Sequence, residues 1–144
     1  SKREIIEINK ESFSLKILPL ICYEIIYSGR IFRNANFDLI INISEDGWFG
    51  ESIGPKQHFV HSVFRAVESG KYILRSANNG IAAIINPLGI VEQKVEFGKS
   101  GYVDFKEGRK IQPTAFSKYG NKIFIILIFL YIFIIFSFNR ITNE

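Results

Sequence analysis

Leu18-Pro19-Leu20-Ile21-Cys22-Tyr23-Glu24-Ile25 is a run of apolar, strand-forming residues that ends abruptly at a thiol, an aromatic ring and a carboxylate. A strand that delivers a thiol to a turn is one way to display a nucleophile. Cys22 is the single cysteine of the 144 residues, so an intramolecular disulfide is excluded. The competing reading is a small buried hydrophobe, since free cysteine is among the most buried residue types. On the upstream side, Glu4 to Ile8 alternates weakly as a strand and Asn9 to Ser12 reads as a turn. Phe13 to Ile21 is then the strand that reaches Cys22.

Downstream, Glu24 to Asn34 predicts a short helix, with apolar residues at 25, 26, 31 and 32 and Gly29 interrupting. Asp38 to Ser44 carries the continuous run Leu39-Ile40-Ile41-Asn42-Ile43 and suits a buried strand. Glu45 to Pro55 contains Gly47, Gly50 and Gly54 and reads as a loop. Pro55 opens a predicted helix to Ser69, with apolar residues at 59, 60, 63, 66 and 67, and Gly70 stops it. Strands are predicted over Tyr72 to Ser76 and Ile81 to Asn86, joined through Asn78-Asn79-Gly80, whose Asn-Gly pair favours a tight turn. Pro87-Leu88-Gly89 is a further turn, followed by strands Ile90 to Phe97 and Gly101 to Phe105 and a polar linker over 106–120. Strands alternating with helices imply a layered α/β fold. The strands are too few to enclose a full core, which implies a need for a partner surface.

Ile123 to Phe138 is an uncharged stretch of 16 residues, flanked by Lys122 and Arg140. As a helix it would be about 24 Å long, and snorkelling Lys122 and Arg140 with Tyr119 at the interface extend it toward a bilayer core of about 30 Å. The expectation is a transmembrane helix with its flanks over 118–140, after a domain over 1–117. The formal charge of +4 is spread along the chain, so the basic residues define no nucleic-acid partner. The chain contains no methionine, which reads as a fragment of a longer product.

His58 and His61 stand three apart on the predicted helix, but zinc requires at least three protein ligands, and Cys22 would have to be the third. The expectation is no metal and no cofactor. A Cys–His pair of the protease kind is conceivable, yet no Asn or Asp declares itself as its orienting partner. Arg75 is either the partner of a carboxylate near the site or a solvated strand end.

Four separated motifs stand in order: Leu20-Ile21-Cys22-Tyr23-Glu24-Ile25; Ile43-Ser44-Glu45-Asp46-Gly47-Trp48-Phe49-Gly50; Ser52-Ile53-Gly54-Pro55 with Gln57-His58-Phe59; and Leu74-Arg75-Ser76-Ala77-Asn78-Asn79-Gly80-Ile81. Together they resemble the C-terminal part of the apolipoprotein N-acyltransferases, a membrane-embedded branch of the nitrilase, or carbon–nitrogen hydrolase, superfamily. The resemblance covers essentially the whole chain. It implies half of an αββα sandwich followed by one transmembrane helix, on the periplasmic side of the cell inner membrane. It also implies a Glu-Lys-Cys triad in which the cysteine accepts an acyl group from a phospholipid and passes it to the N-terminal amine of a diacylglyceryl apolipoprotein.

Cys22 matches that nucleophile, and Tyr23 and Glu24 match the two residues the family requires after it. The glutamate and lysine of the triad lie upstream of the cysteine in the family, and residues 1–21 match neither. The expected partners therefore include the missing N-terminal half as a separate chain, and the 144 residues alone are expected to be inactive. Glu45 stands where the family often has an amide, and Ala77 where a hydroxyl is common. Trp48 and Phe49, in a glycine-flanked loop, suit an acyl channel or the membrane interface, against the alternative that Trp48 covers the core. Glu24 reads as a functional neighbour of the thiol or as a helix-start residue favoured by the dipole. The other two readings of the chain are a non-catalytic membrane-anchored remnant and an amidase-like hydrolase.

Overall fold

The computed structural model describes residues 4–29, 36–109 and 111–142. One sheet organises it, with strands in sequence order: β1 (Ile6–Lys10), β2 (Phe13–Ile21), β3 (Leu39–Glu45), β4 (Tyr72–Asn78), β5 (Ala82–Ile85) and β6 (Val91–Val95). β2, β3 and β4 are parallel, and β1, β5 and β6 join as antiparallel neighbours. Pro19 is tolerated inside β2 because the pairing with β1 ends at Ile17, leaving β3 as the paired strand at that point among the described residues. The register aligns Leu20 with Asn42 and Asn42 with Arg75, so three strands present those side chains in one row.

Side-chain alternation gives the sheet two unlike faces. Leu18, Leu20, Ile40, Ile73, Ala83 and Ile85 form the core beneath helix α1 (Gly54–Ser69), which contributes Ala66 with Phe59 and Val63. On the other face Ile17, Leu39, Tyr72 and Ile84 are covered by Val103 and Phe105. The segment predicted as a strand over Gly101 to Phe105 makes no ladder. Instead the Gln93 side chain imitates a neighbouring strand, donating to the Asp104 carbonyl at 2.9 Å and accepting from its N–H at 3.1 Å. A single amide clamp thus replaces a row of backbone pairs.

The other departures have equally local causes. The helix predicted from Glu24 is, in its described part, a 3₁₀ turn over Cys22–Ile26, and residues 30–34 of that prediction lie outside the described residues. The strand predicted over 4–8 is shifted to Ile6–Lys10, which the tight turn at Glu11 and Ser12 pairs directly with Phe13–Ile17. The predicted linker contains helix α2 (Ala115–Tyr119), capped by Thr114 Oγ1, which accepts from Ser117 N–H at 3.0 Å.

The membrane-spanning helix expected over 118–140 is corrected by the structure. Helix α3 covers Lys122–Thr142, but among the described residues no helix is long and apolar enough to cross a membrane. Its uncharged stretch, 16 residues from Ile123 to Phe138, rises only about 24 Å, short of a hydrocarbon core of about 30 Å. The α/β layering holds, and the spanning segment does not.

Gly70 ends α1 in the left-handed region at φ +67°, with its N–H on the Ala66 carbonyl at 2.9 Å. Gly70→Ala is expected to lower the unfolding free energy by about 1–2 kcal/mol, read from a urea titration followed by Tyr and Trp fluorescence. An unchanged midpoint would remove this cap from the account of how α1 ends.

Candidate active site

The three parallel strands end side by side, and ligand sites of open α/β sheets lie at such carboxyl ends. Cys22 follows the last residue of β2, Asp46 follows the last residue of β3, and Arg75 lies within β4. Cys22 holds φ at +48°, a conformation that costs a non-glycine residue free energy and is tolerated only where its surroundings impose it. The thiol is half-buried, so both readings of the sequence apply in part: it is packed, but it is not sealed off.

Several contacts impose this turn. The Glu24 carboxylate accepts the Ile21 N–H at 2.8 Å and closes the turn from the strand side. The Asn42 amide donates to the Leu20 carbonyl at 3.1 Å and reaches the Cys22 carbonyl at 3.5 Å. His58 Nε2 lies 3.3 Å from the same Cys22 carbonyl oxygen. Arg65, one of the buried side chains of α1, donates to the Ile26 carbonyl at 3.2 Å and holds the far end of the turn. Burial pushes the Arg65 guanidinium below its ordinary value, opposed by neighbouring Glu68, whose own carboxyl is pushed up by burial.

Beneath the turn lies a buried charged cluster. Asp46 is fully enclosed and accepts from Arg75 Nη2 at 2.7 Å, from Ser44 Oγ at 2.7 Å and from His58 Nδ1 at 2.8 Å. Burial acts to raise the Asp46 carboxyl, but the bonds from His58 and Ser44 and the charges of Arg75 and His58 outweigh it and hold it below the usual range. Burial likewise lowers the Arg75 guanidinium, with the Asp46 charge opposing. Arg75 Nη1 also bonds Asn42 Oδ1, so Asn42 connects the charged cluster to the nucleophile's backbone. Ser44 Oγ completes the path, 3.7 Å from Cys22 Sγ.

Asn78, Asn79 and Gly80 form the hairpin between β4 and β5, with Asn79 at φ +49°. A Cβ at Gly80 would collide with the Asp46 carboxylate, so this turn also walls the site. Glu45 braces the same edge: its carboxylate accepts from the Asn78 amide and from the Gly47 N–H, and these bonds lower it.

Of the residues singled out in the sequence, Cys22, Tyr23 and Glu24 share the turn. Trp48 and Phe49 share a 3₁₀ turn over Gly47–Phe49 but part company there. Trp48 is 86% exposed, which overturns the reading that it covers the core. Phe49 instead packs against the rings of Tyr23 and His58, each with centroids 5.9 Å away. Tyr23 stacks on His58 at 5.0 Å. Among the described residues no group of three or more His, Cys, Asp or Glu is placed to hold a metal ion. The orienting acid that the sequence did not declare for His58 is Asp46, although Nε2 meets the backbone of Cys22.

Asn42, Ser44, Asp46 and Ser62, whose Oγ lies 3.5 Å from Arg75 Nη1, are the residues that sequence reading passed over as site members. Their signal was present: a polar residue inside a continuous apolar strand must find a buried partner, and Asn42 in β3 and Arg75 in β4 are two such residues in register.

A strained cysteine at the carboxyl ends of parallel strands, braced by buried polar side chains, defines an α/β protein with a displayed thiol. The chain belongs to the carbon-nitrogen hydrolase family, whose model matches residues 4–104. It is similar to the apolipoprotein N-acyltransferase of Rickettsia bellii, 47% identical over 136 residues, 93% of this chain and 26% of that protein. The apolipoprotein N-acyltransferases of Rickettsia prowazekii, 42% identical over 93% of this chain and 27% of theirs, and Bradyrhizobium diazoefficiens, 42% identical over 72% and 20%, are similar too. The chain therefore spans about a quarter of the length of the curated relatives it matches. Among solved structures, an amidase from Nesterenkonia sp. shares the fold, with a TM-score of 0.50 and 15% identity over 67% of this chain and 39% of that one.

Arg75→Leu leaves the Asp46 carboxylate buried without its cation. It is expected to lower stability by about 3–5 kcal/mol, measured by urea unfolding. A loss below about 1 kcal/mol, the size of an exposed pair, would show that the pair does not hold the cluster together.

Proposed function

We propose that this chain carries the nucleophile of an acyl transfer that proceeds through a thioester on Cys22. The observation that supports the reading most directly is the positive φ of Cys22 at the strand ends, held there by Glu24, Asn42 and His58. A turn kept in an unfavourable conformation by several partners is a device for displaying one side chain.

The first half-reaction takes an acyl group from a phospholipid. The Cys22 thiolate attacks the ester carbonyl carbon, a C–S bond forms, the ester C–O bond breaks, and the lysophospholipid oxygen leaves with a proton. In the second half-reaction the N-terminal amine of a diacylglyceryl apolipoprotein attacks the thioester. A C–N bond forms, the C–S bond breaks, the amine gives a proton to the carboxylate base and the thiolate returns. A thiol at its free pKa is only a few per cent thiolate near neutrality, so a carboxylate base and an oxyanion-stabilising ammonium are required. The family resemblance assigns these to a glutamate and a lysine upstream of the cysteine. The Tyr23 amide, at the start of the turn, is the second oxyanion donor in this reading.

Tyr23 and Glu24 act as positioning residues: Glu24 closes the turn, and Tyr23 stacks on the imidazole that touches the Cys22 carbonyl. Trp48 is the acyl-chain contact. In this reading it belongs to an acyl-binding rim, since it stands exposed on the Gly47–Phe49 turn that directly follows Asp46. The working location is the periplasmic face of the inner membrane, where both lipid substrates are found.

The test is intact-mass measurement after the chain, supplied with the upstream portion of the Rickettsia bellii enzyme, is incubated with phospholipid vesicles. A fatty-acyl adduct that is released by hydroxylamine and absent in Cys22→Ala is expected. No adduct in the reconstituted enzyme would reject the thioester.

In the same assay Trp48→Ala is expected to slow adduct formation roughly tenfold, as loss of a large aromatic contact does, while stability changes by less than about 0.5 kcal/mol. Equal rates for the parent and Trp48→Ala would remove Trp48 from the acyl-binding rim.

A further inference from the structure

Ser44 Oγ stands between two anion-forming groups. It is 2.7 Å from Asp46 Oδ1 and 3.7 Å from Cys22 Sγ, and Ser44 itself is buried. A hydroxyl has one hydrogen, so it can donate to only one of them at a time. Asp46 does not depend on that hydrogen alone, because His58 and Arg75 also donate to its carboxylate. Among the described residues Ser44 Oγ is the side-chain donor that reaches Cys22 Sγ, and the guanidinium of Arg75 acts on it through charge rather than contact.

We infer that the Ser44 hydroxyl is a two-position donor that bonds Asp46 while Cys22 is a thiol and turns to the sulfur when the thiolate forms. This rests on the reading of Cys22 as the nucleophile. In the resting state the Ser44 O–H donates to Asp46 Oδ1. When a carboxylate base removes the thiol proton, the hydroxyl rotates about its C–O bond and donates to Sγ. No proton passes through Ser44, so the proton stays with the base and returns to the leaving oxygen. Asp46 keeps its bonds to Arg75 and His58 and loses one of three. Arg75 attracts the thiolate, while Asp46 opposes it. The other titratable groups around the sulfur are His58 from α1, and Tyr23 and Glu24 in its own turn. Rotating the hydroxyl toward sulfur places a dipole between the two negative charges at the moment when both are present. Charge-assisted bonds of this kind are among the stronger hydrogen bonds.

The experiment uses the 144-residue chain, whose single cysteine makes iodoacetamide alkylation report on Cys22 alone. Alkylation rate against pH gives the midpoint of thiolate formation in folded protein, without any acyl transfer. Ser44→Ala is expected to move that midpoint upward by about one pH unit, the scale of one hydrogen bond to a charged group. At a pH below both midpoints its alkylation should be about tenfold slower. Ser44→Thr, which keeps the hydroxyl, should restore the parent midpoint, and Ser44→Val, of the same shape without it, should match Ser44→Ala. The Thr and Val pair decides the matter should the Ala variant fail to fold. Coincident midpoints for hydroxyl-bearing and hydroxyl-free chains would overturn the assignment. Since alkylation needs no acyl donor, that result is distinguishable from failure of the thioester itself.

Discussion

The buried pair between Arg75 and Asp46 is the constraint on which the site depends. Two charges removed from water are costly, and their mutual attraction offsets the cost only if the remaining polar atoms are also bonded. Here they are bonded to functional neighbours. Asp46 takes up Ser44 and His58, and Arg75 takes up Asn42. Each of these three reaches Cys22, through its sulfur or its carbonyl. The need to satisfy one ion pair therefore fixes the geometry of the nucleophile's turn.

Helix α1 is adapted to that cluster in an unusual way. Its buried positions include His58, Ser62, Arg65 and Ser69, while Val60, Phe64 and Val67 stand exposed. A surface helix normally turns its apolar stripe inward. In α1 the inward stripe changes character along its length. Ala66 meets the apolar part of the sheet, and His58 and Ser62 meet the polar part, near the carboxyl ends of the strands. β3 and β4 change in the same sense, from Ile40 and Ile73 in the core to Asn42 and Arg75 at the site. Complementary gradients on helix and sheet place a polar site at one end of a single core without interrupting it.

The far side of the turn is held by a second set of bonds. Arg65 and Glu68 pair at 2.9 Å, Ser28 donates to Glu68 at 2.9 Å, and Thr114 bonds the Glu68 carbonyl. Residues 26–28 are thereby tied to α1 and to the start of α2. The turn that carries Cys22 is gripped at both ends, which is what a left-handed cysteine needs to persist.

Local chemistry made much of this legible in the sequence. The strand ending at Cys22, the helix opened by Pro55 and stopped by Gly70, and the Asn-Gly hairpin follow from propensities and turn preferences that act within a few residues. The four ordered motifs also carried the family. The uncharged run in α3 misled, because its 16 residues rise only about 24 Å as a helix, short of a hydrocarbon core of about 30 Å. What the tertiary structure alone decided is which polar residues meet. Asp46 lies 29 residues from Arg75 and 12 from His58, and strand register and helix packing bring them together. Their partnership is a consequence of burial, which removes water as the alternative bonding partner, and burial is a property of the assembled sheet and helix.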